Sequence, residues 1–177
     1  MTLARVLVIA VGNPSRGDDG LGPMLVAQWA VGDMDGVEVL TDFQLQVEHA
    51  LDLLACDAVL FVDATREAVG VELHRVEPAA ALPVLSHALT PAGVLHVAQR
   101  LGQRLPDAWQ LAIEGTAFGL GEGLSSEAQA RLVRGLEVAS AWLAQRRRIH
   151  PSTACIDSSH RAVQTPEPVV GAEPGID

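Results

Sequence analysis

Acidic residues and one histidine occur in this sequence where a ligand could be bound. The segment GNPSRGDDG, residues 12–20, contains Asp18 and Asp19; Asp63 ends an apolar run; and His87 lies in the segment SHALTP. Two carboxylates and one imidazole can hold a divalent first-row metal ion and leave positions open for water or for a partner's ligands. Because imidazole is present, nickel, zinc or iron is favoured over magnesium or calcium.

Each of these side chains also has a purely structural explanation. Asp18 or Asp19 can cap the first helix by accepting hydrogen bonds from its free backbone N–H groups. Asp63 can organise the turn that follows a strand. His87 can be a solvated loop residue. On the residue pattern alone, these alternatives stay open beside the metal-binding interpretation.

The composition excludes several kinds of chemistry. Among 177 residues there are 22 acidic and 12 basic side chains. All 12 basic ones are arginine, because the chain has no lysine, and the chain also has no tyrosine. Schiff-base catalysis and a lysine-containing phosphate loop are therefore excluded, and the net charge of −10 argues against nucleic acid as a partner. Cys56 and Cys155 are too few for a disulfide framework or a cysteine-rich zinc site. No G-x-S-x-G or H-E-x-x-H motif is present, and the first loop lacks G-x-G-x-x-G.

The candidate residues are far apart in sequence, so the secondary structure must bring them together. Apolar runs predict strands over 3–11, 37–41, 57–63, 69–76 and 109–114, and helical spacing predicts helices over 20–31, 47–55, 90–101 and 125–147. The order predicts an α/β fold, a three-layer α/β/α sandwich with a mostly parallel sheet of about five strands. The alternating segment 69–76 is expected to be an antiparallel edge strand. Ligands bind beyond the carboxyl ends of parallel strands, which is where the candidate residues fall.

The pattern of strands and helices stops near the end of the chain. We therefore expect a single α/β catalytic domain over 1–148 and a mobile, disordered tail over 149–177, a segment with four of the ten prolines and no periodicity. The opening apolar run, 6–11, is too short to cross a membrane and has no cleavage site for export. The sequence thus predicts a cytoplasmic protein with no membrane partner.

Five segments, in the same order, resemble the nickel–iron hydrogenase maturation proteases. The first, VLVIAVGNPSRGDDGLGPMLV, resembles that family's opening strand and its G-N-x-x-x-x-D-[DE]-x-x-G loop. The others are TDFQLQVEHALDLL, DAVLFVDAT, SHALTPAGVLHVAQRL and IEGTAFGLGEGLSSEA. Together they place the resemblance over about residues 3–147.

The resemblance implies an endopeptidase that removes the carboxy-terminal extension of a hydrogenase large-subunit precursor after nickel insertion. Two acids and a histidine of such a protease contact the nickel, and by position these are Asp19, Asp63 and His87, which are thus the expected catalytic and metal-contacting residues. The nickel-loaded precursor is the expected partner and supplies the metal, no organic cofactor is expected, and the protein is expected to be a monomer. Asp19 is one methylene shorter than the Glu of some relatives, and the tail has no counterpart.

Two other functions fit the same residues. The site could check or hold nickel during assembly without cutting, or the protein could be a metal-dependent hydrolase for small molecules. For the protease, we expect metal-assisted hydrolysis in which nickel or a carboxylate activates water, because no motif for an activated serine or cysteine is present.

Overall fold

A five-stranded sheet forms the centre of the protein. The computed structural model describes residues 4–29, 31–82, 89–102 and 104–149. The strands lie in the order β2-β1-β3-β5-β4, and all neighbours are parallel except β4, which runs antiparallel to β5 at one edge. Their bounds are β1 Val6–Val11, β2 Val37–Asp42, β3 Ala58–Thr65, β4 Val71–Arg75 and β5 Asp107–Glu114.

Helices cover both faces of the sheet. Their bounds are α1 Leu21–Trp29, α2 His49–Asp52, α3 Pro91–Arg100 and α4 Ser126–Ile149. On one face, α1 and α4 pack against alternate strand residues such as Val8 and Leu60. On the other face, α2 and α3 pack against Ile9 and Phe61. Successive residues of β1 and β3 therefore enter two different cores, which explains why these strands are apolar throughout.

The predicted fold class is confirmed: the sheet has five strands, is mostly parallel, lies between helices and carries an antiparallel edge strand within 69–76. Two predicted helices are shorter than expected. The helix predicted over 20–31 is preceded by a 3-10 turn, Gly17–Gly20, and α1 ends at Trp29. The helix predicted over 47–55 contains only the single α-helical turn of α2, followed by another 3-10 turn, Leu53–Ala55. The i to i+3 hydrogen bond from the Cys56 N–H to the Leu53 carbonyl, at 3.4 Å, is typical of this tighter winding.

Several predictions lie outside the described residues. The predicted tail begins at Ile149, which is the last residue of α4, and the rest of that tail is not part of the described structure. His87 also lies outside it. The division into a domain over 1–148 and a tail, the monomeric state and the cytoplasmic location stay predictions. Within the described ranges, no helix combines the length and the apolar character needed to cross a membrane.

Candidate functional site

Asp19 and Asp63 lie at the carboxyl edge of the sheet, beside its two central strands. Asp19 belongs to the 3-10 turn that follows β1, and Asp63 lies near the end of β3, which continues two residues further than predicted, to Thr65. β1 and β3 are neighbours, while the strand that follows β1 along the chain, β2, pairs on the opposite side of β1 from β3. Such a reversal of strand order opens a crevice, and in open α/β sheets this crevice is the usual ligand site.

The environment of Asp63 favours its neutral form. Burial raises the pKa of this carboxyl to about 6, a hydrogen bond from the Ala64 backbone lowers it, and the negative charge of Asp19 raises it. The last effect means that the two carboxylates lie within electrostatic range of each other. A cation bound between them would remove that repulsion and favour the ionised form of Asp63.

Asp19 is held in place by the loop that follows β1. Its Oδ2 accepts a hydrogen bond from the Asn13 backbone N–H at 3.0 Å. The loop can turn back on itself because Gly12 has φ +134°, and a Cβ at that position would lie 1.9 Å from the Asp19 carbonyl oxygen. A side chain at position 12 would therefore displace the residue that carries the candidate carboxylate.

Asp18 has a different role from that of its neighbour. Its side chain is fully buried and does not cap α1; it accepts hydrogen bonds from the loop between β5 and α4. The donors are the backbone N–H groups of Thr116 at 2.8 Å, Ala117 at 2.9 Å and Ser125 at 2.8 Å, and the Ser125 hydroxyl at 3.0 Å. Burial is the largest single influence and raises the pKa of Asp18, but these hydrogen bonds together hold it below its ordinary value. Asp18 is thus an internal anion that is fully engaged by the protein.

The third predicted ligand, His87, is not among the described residues, so the predicted set of three is not assembled here. In the described part of the chain, no three His, Cys, Asp or Glu side chains are grouped so that they could hold a metal ion. Leu89, two residues after His87, packs with the core formed by α2 and α3. Asp63 lies two residues after Phe61 in β3. Because side chains of a strand point to the same face at every second residue, Asp63 lies on the face that carries this core.

Asp42 and His49 form a second polar pair at this edge, which the sequence analysis did not identify. Asp42 ends β2 level with Val11, and its Oδ2 lies 3.6 Å from His49 Nε2. His49 Nδ1 accepts a hydrogen bond from the Gln46 backbone N–H at 2.9 Å, so the proton of the neutral ring is on Nε2 and faces Asp42. The sequence did contain a signal, since Asp42 directly follows the predicted strand over 37–41.

The Asp42–His49 pair is separate from the pair formed by Asp19 and Asp63. Val62 pairs with Ala10, so Asp63 is level with Val11 and lies two strands from Asp42. Since neighbouring strands are about 4.8 Å apart, the two Cα atoms are separated by about 10 Å. Asp42 therefore flanks the crevice on its β2 side.

Comparison with known proteins identifies the fold. No protein-family model matches the sequence, and no curated protein matches it either. Among solved structures, the chain is similar to the [NiFe] hydrogenase maturation protease HycI from Thermococcus kodakarensis, with 23% identity over 80% of this chain and 94% of that one and a TM-score of 0.63. It is also similar to the hydrogenase maturating endopeptidase HybD from E. coli, with 24% identity over 80% of this chain and 93% of that one and a TM-score of 0.63.

A third structure, the hydrogenase 2 maturation peptidase from Thaumarchaeota archaeon SCGC_AB-539-E09, shares 24% identity over 79% of this chain and 98% of that one, with a TM-score of 0.57. These likenesses show that the chain has the fold of the hydrogenase maturation proteases. They name the same family that the five sequence segments resemble.

Proposed function

We propose that this protein is an endopeptidase that removes the carboxy-terminal extension of a nickel–iron hydrogenase large-subunit precursor after nickel has been inserted. The observation that carries the proposal is the acid pair, Asp19 and Asp63, which follow or end the neighbouring strands β1 and β3 at the carboxyl edge of the sheet. The fold supports it, because the three solved structures named above are hydrogenase maturation proteases. The sequence segments quoted above support it independently.

In this proposal the nickel belongs to the substrate. Asp19, Asp63 and His87 contact the ion while it remains bound to the precursor, since three protein ligands leave coordination positions for the precursor's own groups. For His87, the support is indirect: its chain neighbour Leu89 packs on the face of the sheet that carries Asp63. The ion then anchors the precursor so that the scissile peptide bond lies beside the acid pair.

Cleavage is a hydrolysis. The oxygen of a water molecule adds to the scissile carbonyl carbon, the bond from that carbon to the peptide nitrogen breaks, and the released amine takes up a proton. A carboxylate of the acid pair can accept the proton of the water. Nickel is the alternative activator of the water.

The first prediction concerns the residues proposed to contact nickel. Asp19→Asn and His87→Ala should each lower the rate of precursor cleavage at least about 100-fold, the order of effect expected when a positioned catalytic or ion-binding group is lost. The matched control is His74→Ala, since His74 is an exposed histidine on the edge strand β4. Mass spectrometry of nickel-loaded precursor, with nickel-free precursor in parallel, measures the loss of the extension.

Each result of this assay has a distinct meaning. A His87→Ala variant that cuts at the normal rate would remove His87 from the proposal. Wild-type protein that binds the nickel-loaded precursor but never shortens it would instead be a nickel-checking module. Turnover of a small ester or amide that needs added metal but no precursor would favour the small-molecule hydrolase.

The second prediction concerns pH. The folded-state pKa of Asp63 is raised to about 6, so the carboxyl is protonated below that pH and ionised above it. Because a metal ion binds the ionised form, affinity for the nickel-loaded precursor should fall as pH decreases through about 6, by up to about tenfold per unit. Titrations of the precursor across this range measure the effect, and an affinity that is constant between about pH 5 and pH 7 would contradict it.

A further inference from the structure

We propose that Asp18 is a positioning residue whose buried carboxylate fixes the backbone that presents Asp19 to the substrate. This inference rests on the proposed function only in giving Asp19 a catalytic role. The placement of Asp19 by Asp18 can be tested without any substrate.

The first observation is the set of donors that converge on Asp18. Its carboxylate is fully buried and accepts from the backbone N–H groups of Thr116, Ala117 and Ser125 and from the Ser125 hydroxyl. Ser125 also caps α4, because its Oγ accepts from the Ala128 N–H at 3.1 Å. Asp18 therefore lies at the amino terminus of a 24-residue helix, where the helix dipole and free N–H groups favour an anion.

The second observation is that the backbones of the two loops are joined around this carboxylate. The Asp18 N–H donates to the Ala117 carbonyl at 2.7 Å, the Gly17 N–H to the Glu122 carbonyl at 3.1 Å, and the Gly121 N–H to the Ser15 carbonyl at 2.7 Å. The loop after β1 and the loop after β5 thus form one unit. In that unit the Asp18 carboxylate supplies the negative charge, and the backbone hydrogen bonds fix how the two loops align with each other.

The third observation links this unit to Asp19. Asp19 is the next residue, its N–H donates to the Arg16 carbonyl at 3.2 Å, and its carboxylate accepts from the Asn13 N–H. The direction of the Asp19 side chain is therefore set by the same backbone turn that Asp18 holds. Without the Asp18 carboxylate, several buried donors lose their acceptor, and the turn must move to satisfy them with water.

Chemical rescue provides the test. Asp18→Ala removes the carboxylate and leaves space lined by its donors, which formate can occupy because it has the same charge and the same two oxygens. We expect Asp18→Ala to lower precursor cleavage about 100-fold, the effect typical of a misplaced catalytic group, and formate to restore at least about a tenth of the wild-type rate. Formamide, which has similar size but no charge, should restore nothing. Asp57→Ala is the matched control, because the Asp57 carboxylate accepts from the Arg5 backbone N–H at 2.9 Å, just before β3 and therefore at the amino ends of the parallel strands.

Amide hydrogen exchange measured by NMR gives a second readout that needs no precursor. In Asp18→Ala the Asn13 amide, which bonds to Asp19, should lose protection, and formate should restore it. If Asp18 had only a structural role, the amides of Thr116, Ala117 and Ser125 would lose protection while that of Asn13 would not. If Asp18→Ala does not fold, Asp18→Asn replaces it, and the Asn13 amide should again exchange faster, without rescue by formate.

The two proposals fail in different ways. Wild-type protein that never cuts nickel-loaded precursor would overturn the proposed function, yet faster Asn13 exchange in the variant would still support positioning. Cleavage that is lost on Asp19→Asn but unchanged on Asp18→Ala, together with unchanged Asn13 protection, would overturn the role of Asp18 alone.

Discussion

Asp63→Asn should make the protein more stable at neutral pH and at the same time abolish precursor processing. The folded structure raises the pKa of Asp63 from 3.8 to about 6, chiefly through burial. At neutral pH the ionised carboxyl therefore costs up to about 3 kcal/mol of folding free energy, since each pKa unit corresponds to about 1.4 kcal/mol. A neutral amide of the same shape avoids this cost, which already includes the repulsion by Asp19.

The sign of the pH dependence follows from the same pKa. Between about pH 4 and pH 6 the folded state binds the Asp63 proton while the unfolded state has released it, so the stability of wild-type protein falls as pH rises through this window. Above about pH 6 this contribution stays constant. In Asp63→Asn this component of the pH dependence should vanish.

Urea denaturation of wild-type and variant protein over this pH range measures the free energy of unfolding. Asp57→Asn, at the opposite edge of the sheet, should keep the wild-type pH dependence within this window. The processing assay with nickel-loaded precursor completes the comparison. A variant that is less stable than wild type at neutral pH would contradict the assignment of Asp63 as a carboxyl whose charge is unfavourable in the folded state.

Gly22→Ala should be among the most destabilising single substitutions in the protein. A Cβ on Gly22 would lie 2.5 Å from the Val11 carbonyl oxygen and 2.8 Å from that of Val62, so α1 rests directly on the backbones of β1 and β3. Backbone atoms of central strands cannot move aside as side chains can. We expect a loss of about 3 kcal/mol or more, at the upper end of overpacking effects, although alanine is about 1 kcal/mol better than glycine in a helix.

The matched control is Gly123→Ala, because a Cβ there meets nothing within 4 Å and the backbone is not among those with positive φ. The two variants are compared with wild type by urea denaturation, and Gly123→Ala should change stability by no more than about 0.5 kcal/mol. Cleavage should also fall in Gly22→Ala, because α1 begins two residues after Asp19. A Gly22→Ala variant as stable as the control would show that the helix can withdraw from the sheet without cost.

The fold was predictable because its signals are local. The central strands β1 and β3 are apolar over most of their length, and the alternating segment over 69–76 became the antiparallel edge strand β4. Thr90 followed by Pro91 predicted the start of α3, and the Thr90 hydroxyl does accept from the Gly93 N–H at 3.1 Å. These patterns can be recognised in short segments of the sequence, because they reflect which residues are neighbours along the chain and which of them are apolar.

The candidate site was predictable only in part, because its details depend on contacts between distant segments. Asp18 and Asp19 are adjacent and chemically identical, yet one is an internal anion and the charge of the other raises the pKa of Asp63. The donors that make this difference come from residues about a hundred positions away, at Thr116 and Ser125. No local pattern in the first loop contains that information.

The crevice between β1 and β3 does not depend on the two aspartates beside it. It arises from the order of the strands and would persist if both aspartates were replaced, because the main chain alone opens it. An Asp19→Asn, Asp63→Asn double substitution should thus remove both carboxylates and leave the fold and the crevice intact. Different side chains on the loops at these strand ends could therefore support a different chemistry without a change of fold.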